Sequence, residues 1–484
     1  MNRRMVYRTV GQMIELEAIM LLIPMLAALI YGEMNVVPAF LIPAVCAGVI
    51  GFVIAHTFPP RDRILYARDG FMIVALAWLV LSGIGALPFV FSGEIPSYID
   101  AFFETASGFT TTGASIVRDV EAMSHGILFW RSFTHWVGGM GVIVLMMAII
   151  PQESGTSMYI MKAEMPGPIV GKLVPRIRQT AKVLYLIYLG LTALQVVLLC
   201  VGGMPLFDSL VHSFGTAGTG GFGIKADCLA SYTPYQQWVI AIFMLIFGVN
   251  FNLYYLILIR RARSAFKSEE LWAYVGIVLV ASGLICYNIR AIYPALSDAA
   301  RQSAFQVASI ITTTGYSTAN FDTWPQLSRH ILLILMFIGG CAGSTAGGLK
   351  VSRVVLMFKN IKLNLKKLIH PRAVGTARFA GKTVETETLQ GLGVYIGLYS
   401  VLLILILLIL AFDPIEYNIE TNFSAAVSCF NNVGPGFGGV GPALSYADYS
   451  PLSKLVLSFS MLLGRLEIYP LLLIMFPSTW RRGQ

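Results

Sequence analysis

Long apolar runs alternate with short, polar, glycine-bearing interruptions along almost the whole of this 484-residue sequence. Runs such as 183–201, 238–259 and 389–411 reach the roughly 20 apolar residues that an α-helix needs to cross a bilayer. Two helices are expected first, at 13–31 and 38–57, joined by a short turn holding Gly32 and Asn35. Although Arg3, Arg4 and Arg8 precede it as in a signal peptide, the first run is long and a second span follows at once, so a retained transmembrane helix is expected. A third span is expected at 70–91, and from there the pattern changes. An apolar stretch too short to cross, 98–110, leads into a polar phrase and then a further span at 127–150. Span, half-helix, phrase and span recur with half-helices at 205–217, 296–311 and 416–430. The expected organisation is a two-helix extension (1–66) and four repeats: 67–160, 161–266, 267–380 and 381–484.

The phrases are the repeat's signature. Two are plain: Thr110-Thr111-Thr112-Gly113-Ala114-Ser115 and Thr312-Thr313-Thr314-Gly315-Tyr316-Ser317. Two are weaker: Gly218-Thr219-Gly220-Gly221-Phe222-Gly223 and Asn431-Asn432-Val433-Gly434-Pro435-Gly436. Successive copies lie roughly a hundred residues apart, the spacing of an internal repeat. Small residues recur six positions before the central glycine (Ser107, Gly215, Ser309, Ser428) and two after it (Ser115, Gly223, Ser317, Gly436). In the second copy Gly220 and Gly221 compete for the central place. One Thr-Thr-Thr-Gly is ordinarily a loop turn. Four at membrane depth need another reason, because irregular backbone is tolerated there only when buried in protein or lining water. A ring of backbone carbonyls replacing an ion's hydration shell is that reason. No ring of Asp or Glu lies in the phrases, which favours a dehydrated monovalent cation. Asp100, Asp208, Asp298 and Glu416, near the half-helix starts, are read as capping residues.

Composition sharpens this picture. The chain is 56% hydrophobic and 12% charged, against about 25% charged in soluble proteins. Its net charge of +9 is concentrated in clusters at 3–8, 61–68, 162–182, 260–267, 350–382 and 481–482. The segments bearing the phrases carry only isolated bases such as Arg118, Lys225, Arg290 and Arg329. The positive-inside rule therefore puts both termini in the cytoplasm and the phrases outside, and no nucleic-acid partner is implied. Six cysteines without paired spacing support neither a zinc site nor a disulfide framework.

Two further features break the apolar pattern. Residues 339–348 hold five glycines in ten positions, each disfavouring helix by about 1 kcal/mol relative to alanine, so the second span of the third repeat should break in mid-membrane. Residues 343–350 superficially suggest a phosphate loop, but Lys350 does not directly follow the glycines and no strand precedes, so no nucleotide is expected on this chain. Arg465 lies inside the last span, where an arginine is functional by default; a structural ion pair with a carboxylate such as Glu467 is the plainer alternative. Glu104, Arg131 and His135 are expected to pair structurally behind the phrases.

Taken together, the four repeats, the glycine loop and the stretches Asn431–Gly436 and Leu463-Gly464-Arg465-Leu466-Glu467 resemble the Trk/Ktr/HKT potassium-uptake superfamily over nearly the whole chain. The extra helix pair resembles its TrkH branch. The resemblance implies an all-α polytopic membrane protein of the bacterial inner membrane, with four pseudo-symmetric span–pore-helix–span repeats around one central pore. It implies potassium uptake with a filter at Thr111, Thr112, Gly113, Gly220 or Gly221, Thr313, Thr314, Gly315, Asn432, Val433 and Gly434. It implies a gate at Gly339, Gly340, Gly343, Ser344, Thr345, Gly347, Gly348 and Lys350, with Arg465 as a charge barrier. A homodimer within membrane lipid, docked on a cytoplasmic TrkA/KtrA-type ring that binds NAD or ATP, is implied as well. The second phrase departs from the pattern in lacking the serine of the first and third. An ion-coupled secondary transporter is the rival, although repeats all in one orientation disfavour it. An enzyme is not expected, since H-E-x-x-H and G-x-S-x-G are both absent.

Overall fold

A computed structural model describes residues 2–58, 67–141, 177–370 and 375–480. Among these, six helices are long and apolar enough to cross a membrane: Arg3–Ile30, Val37–Thr57, Arg68–Phe91, Ala181–Val201, Glu269–Asn288 and Thr386–Leu410. Four shorter helices occupy the half-helix positions: Tyr98–Phe109, Leu206–Gly218, Leu296–Ile311 and Ile419–Asn431. The third has the bounds read from sequence, and the fourth starts three residues later than expected. Part of the predicted span 127–150 is the helix His125–Met140, and the remainder falls outside the described residues.

Second spans depart from the expectation in a consistent way. The run 238–259 is not continuous: Pro234–Phe247 and Phe251–Leu258 meet at 89°. A β-carbon on Gly248 would lie 2.6 Å from the Tyr274 hydroxyl and 2.7 Å from Thr312 Cγ2, so the chain turns where a side chain has no room. The last span breaks too, into Pro451–Arg465 and Tyr469–Met475, with Glu467 and Ile468 in left-handed backbone (φ 53° and 71°). The third repeat breaks where its glycines predict, between Gln326–Ile338 and Val351–Ile369. Breaks in the second and third repeats satisfy each other. Cys341 N–H donates to Gly248 O (3.0 Å), Phe251 N–H to Gly343 O (2.9 Å) and the Thr345 hydroxyl to Phe247 O (3.2 Å). Broken backbone survives at membrane depth because its polar groups find one another inside protein.

Packing among the elements closes a cycle. Each short helix lies against the second span of the preceding repeat: Leu206–Gly218 on His125–Met140, Leu296–Ile311 on Pro234–Phe247, Ile419–Asn431 on Gln326–Ile338, and Tyr98–Phe109 on Pro451–Arg465. The N-terminal pair packs on itself and against Arg68–Phe91 and His125–Met140. Its crossing is tight: a β-carbon on Gly11 would lie 2.7 Å from Ala55 N, and one on Gly51 2.8 Å from Glu15 N.

Beside the helices lies one short hairpin, in which Arg378–Phe379 pairs antiparallel with Lys382–Thr383. One smaller expectation is corrected: the four acids do not supply capping oxygens to their helices. Ser97 and Asn418 supply capping oxygens, while Asp100 pairs with Lys454 (2.7 Å), Asp208 accepts from the Tyr232 hydroxyl (2.8 Å) and Asp298 pairs with Arg301 (2.8 Å). Glu416 lies outside its helix, exposed.

Candidate functional site: a ring of four helix ends

All four short helices end in the same hydrogen-bonded turn. Thr112, Gly220, Thr314 and Val433 each donate a backbone N–H to the carbonyl five residues earlier, on Ser107, Gly215, Ser309 and Ser428, at 2.9, 2.8, 2.8 and 2.9 Å. The residue before each donor is left-handed: Thr111 (φ 56°), Thr219 (57°), Thr313 (55°) and Asn432 (57°). This is the Schellman closure of a helix, a place usually given to glycine. Threonine there carries strain, because its branched β-carbon crowds the neighbouring carbonyl. Two positions beyond the left-handed residue stand Gly113, Gly221, Gly315 and Gly434, all at positive φ. That register makes Gly221 the counterpart of the other three and decides the competition with Gly220.

The four ends meet head to tail. A β-carbon built on Gly113 lands 2.0 Å from Gly220 O, on Gly221 1.9 Å from Thr314 O, on Gly315 2.3 Å from Val433 O, and on Gly434 2.7 Å from Thr112 O. Each glycine thus faces the carbonyl immediately preceding the glycine of the next repeat, and the fourth faces the first. No side chain larger than hydrogen fits in this ring. Its donors to a ligand are neutral carbonyl dipoles, and no cluster of three His, Cys, Asp or Glu able to hold a metal occurs among the described residues. Such a set suits a weakly hydrated monovalent cation rather than a divalent one.

The weak second copy now has a physical account. A β-carbon on Gly220 would lie 2.2 Å from the His135 ring, and one on Gly218 2.1 Å from His135 O. His135 itself bonds through Nδ1 to Gly108 O (2.8 Å) in the first repeat. The glycines that obscure the phrase make room for a neighbour's second span.

Behind the ring, Glu104 and Arg131 form the expected buried pair (2.8 Å, side chains 0% and 3% exposed). Ser115 Oγ donates to Glu104 Oε1 (2.9 Å), Ile116 N–H to Oε2 (2.9 Å), and Arg131 Nη1 to Gly223 O (3.2 Å). The pair therefore ties the exit of the first phrase to that of the second. Sequence reasoning missed the tyrosines that brace the other strands. Tyr446 donates to Gly434 O (2.8 Å), and Tyr316 reaches back over the second strand. Only the place of Tyr316 next to Gly315 could have marked it.

On one side of the ring opens a cavity of about 450 Å³ that all four glycines line. On the other side lies the glycine loop. Gly347 N–H donates to Thr313 Oγ1 (2.6 Å), and Gly348 N–H to Asn431 O (3.0 Å). Lys350 reaches Ala346 O, and Glu270 Oε1 accepts from Ala342 N–H (2.7 Å) and Ser352 N–H (3.2 Å). Arg465 donates to Thr345 O (2.7 Å), Gly138 O (2.6 Å) and Gly139 O (2.7 Å). It thereby stitches the loop to the first repeat. Glu467, one carboxylate that could pair with Arg465, pairs with Arg353. The space that Gly139, Gly347, Lys350 and Arg465 help to line holds about 50 Å³, far less than the mouth on the other side.

Known proteins share this architecture. The profile of TrkH, a cation transport protein family, matches residues 37–273 and 290–481. The Trk system potassium uptake protein TrkH of Salmonella typhimurium is 38% identical, over 99% of this chain and all of that protein. TrkG of Escherichia coli, of the same system, is 32% identical over 99% of each. The crystal structure of the potassium transporter TrkH from Vibrio parahaemolyticus superposes with a TM-score of 0.89 at 34% identity, covering 99% of this chain and 100% of that one.

Proposed function

This chain belongs to the TrkH family of cation transport proteins, and on that premise we propose that it carries potassium into the cell through a gated, channel-like path. The observation that carries the reading is the closed ring of Thr112 O, Gly220 O, Thr314 O and Val433 O around Gly113, Gly221, Gly315 and Gly434. Potassium is the substrate; it exchanges water for these fixed dipoles, which cost no reorganisation as it enters. Thr313 and Asn432 hold the strands: Thr313 Oγ1 accepts the Gly347 N–H, and Asn432 Nδ2 donates to Thr112 Oγ1 and Met461 O. Gly339, Gly340, Gly343, Ser344, Thr345, Gly347, Gly348 and Lys350 form the gate, and Arg465 is both its latch and a charge barrier to cation leak. The four repeats 67–160, 161–266, 267–380 and 381–484 follow the 1–66 extension.

The same reading places the 450 Å³ mouth outside and the basic helix Val351–Ile369, with Lys359, Lys362, Lys366 and Lys367, in the cytoplasm of a bacterial inner membrane. Both termini lie on that side. A homodimer with one pore per subunit, docked on a nucleotide-binding TrkA/KtrA-type ring, completes the assembly. Support for the docking is mechanical: Val351–Ile369 continues directly from the gate loop, so a partner pulling on it acts on the gate.

Rubidium uptake into vesicles, with membrane potential, proton gradient and sodium gradient set independently, tests this function. Uptake that follows the membrane potential alone is expected. Uptake that requires a proton or sodium gradient would favour the ion-coupled secondary transporter.

A further inference from the structure

A buried hydrogen-bonded chain runs from the mouth to the back of the second and third strands. Tyr316, fully buried, directly follows Gly315. Its hydroxyl lies 3.4 Å from His212 Nδ1, 3.3 Å from His212 O and 3.4 Å from Phe222 O. His212, also fully buried, turns its other nitrogen to the Tyr232 hydroxyl at 3.2 Å. Tyr232 donates to Asp208 Oδ2 at 2.8 Å, and Lys225 Nζ lies 4.2 Å from the centre of the Tyr232 ring.

Counting protons orders the chain. Tyr232 has one hydroxyl proton, and the Asp208 carboxylate takes it. The Nε2 of a neutral, buried His212 must then be the N–H that donates to the Tyr232 oxygen, which leaves Nδ1 bare. Tyr316 therefore directs its only proton toward Nδ1 and the two nearby carbonyls, and every group in the chain donates once. Reversing any link would set two lone pairs face to face in a buried site, a cost comparable to a lost hydrogen bond.

The end of this chain touches the second strand twice. A β-carbon on Gly215 would lie 2.2 Å from the Tyr316 hydroxyl, and Gly215 O accepts the Gly220 N–H that closes the turn. Phe222, whose carbonyl lies near the same hydroxyl, directly follows Gly221. We propose that Tyr316, oriented through His212 and Tyr232 by Asp208, is a positioning residue that sets the separation of the second and third filter strands, and with it discrimination of potassium from sodium. It rests on the carbonyl-filter reading given above.

Tyr316→Phe removes the hydroxyl and keeps the ring. In vesicles, the sodium-to-potassium permeability ratio should rise roughly two- to tenfold, what one neutral hydrogen bond supports. His212→Phe should raise the ratio similarly, and the double variant no further, because both cut one chain. Multiplying effects would contradict a shared chain. Gly113→Ser serves as the benchmark. A ratio that moves in Gly113→Ser but not in Tyr316→Phe overturns this proposal alone, whereas a ratio that moves in neither overturns the carbonyl filter itself. Should Tyr316→Phe not fold, Asp208→Ala at the half-buried end must shift the ratio in the same direction; an unchanged ratio there also overturns the proposal.

Discussion

Threonine in left-handed backbone is a costly local feature of the ring, and the glycine loop helps hold one copy of it. At Thr313 the hydroxyl accepts Gly347 N–H at 2.6 Å, so in the proposed function one residue belongs to both filter and gate. Thr313→Val keeps the shape and strands a buried N–H, a loss of about 1–3 kcal/mol. Borne by the closed loop, that loss should raise rubidium leak in vesicles lacking any regulatory partner; leak at the wild-type level would show that the bond does not hold the gate. The Glu104–Arg131 pair makes a different prediction. Removing one member leaves a buried charge, so Arg131→Met should cost about 3–5 kcal/mol, and the double replacement Glu104→Met/Arg131→Met should recover most of it. Thermal unfolding in detergent reads this directly, and an undestabilised single variant would exclude the bracing role.

At the scale of elements, the half-helices were legible because each is an apolar stretch bounded by turn residues and followed by a phrase. Leu296–Ile311 was placed to the residue for that reason. The breaks in second spans were legible only where glycines are dense. Five in ten residues announce the break between Gln326–Ile338 and Val351–Ile369, but Gly248 alone does not announce an 89° bend. That bend is fixed by Tyr274 and Thr312 from other elements, and periodicity within one segment carries no record of them. The Gly220–Gly221 ambiguity was of the same kind, settled by where Ser107, Gly215, Ser309 and Ser428 receive their hydrogen bonds. The function of these breaks is testable. Deleting residues 343–348 removes the plug that donates to Thr313 and Asn431, and should raise potassium flux without the partner. Arg465→Gln, which loses the charge and part of a three-carbonyl clamp, should raise it less. Unchanged flux in both would remove the gate from this loop.

Across the whole molecule, the proposed function puts selection and gating on opposite faces of one ring of helix ends. The mouth face is open and carbonyl-lined; the other is crossed by a loop that bonds to Thr313 and Asn431 from below and to Arg465 from the side. Because the loop continues into Val351–Ile369, the proposed cytoplasmic partner would act on the loop without disturbing the carbonyls. Four glycines bring four carbonyls into corresponding places around one ring. The potassium-to-sodium permeability ratio of purified protein in vesicles, wild type against Gly113→Ser, tests this most directly. With a β-carbon 2.0 Å from Gly220 O, the first and second strands must move apart. The ratio should then fall well below the wild-type value while transport continues. An unchanged ratio would place ion selection somewhere other than this ring.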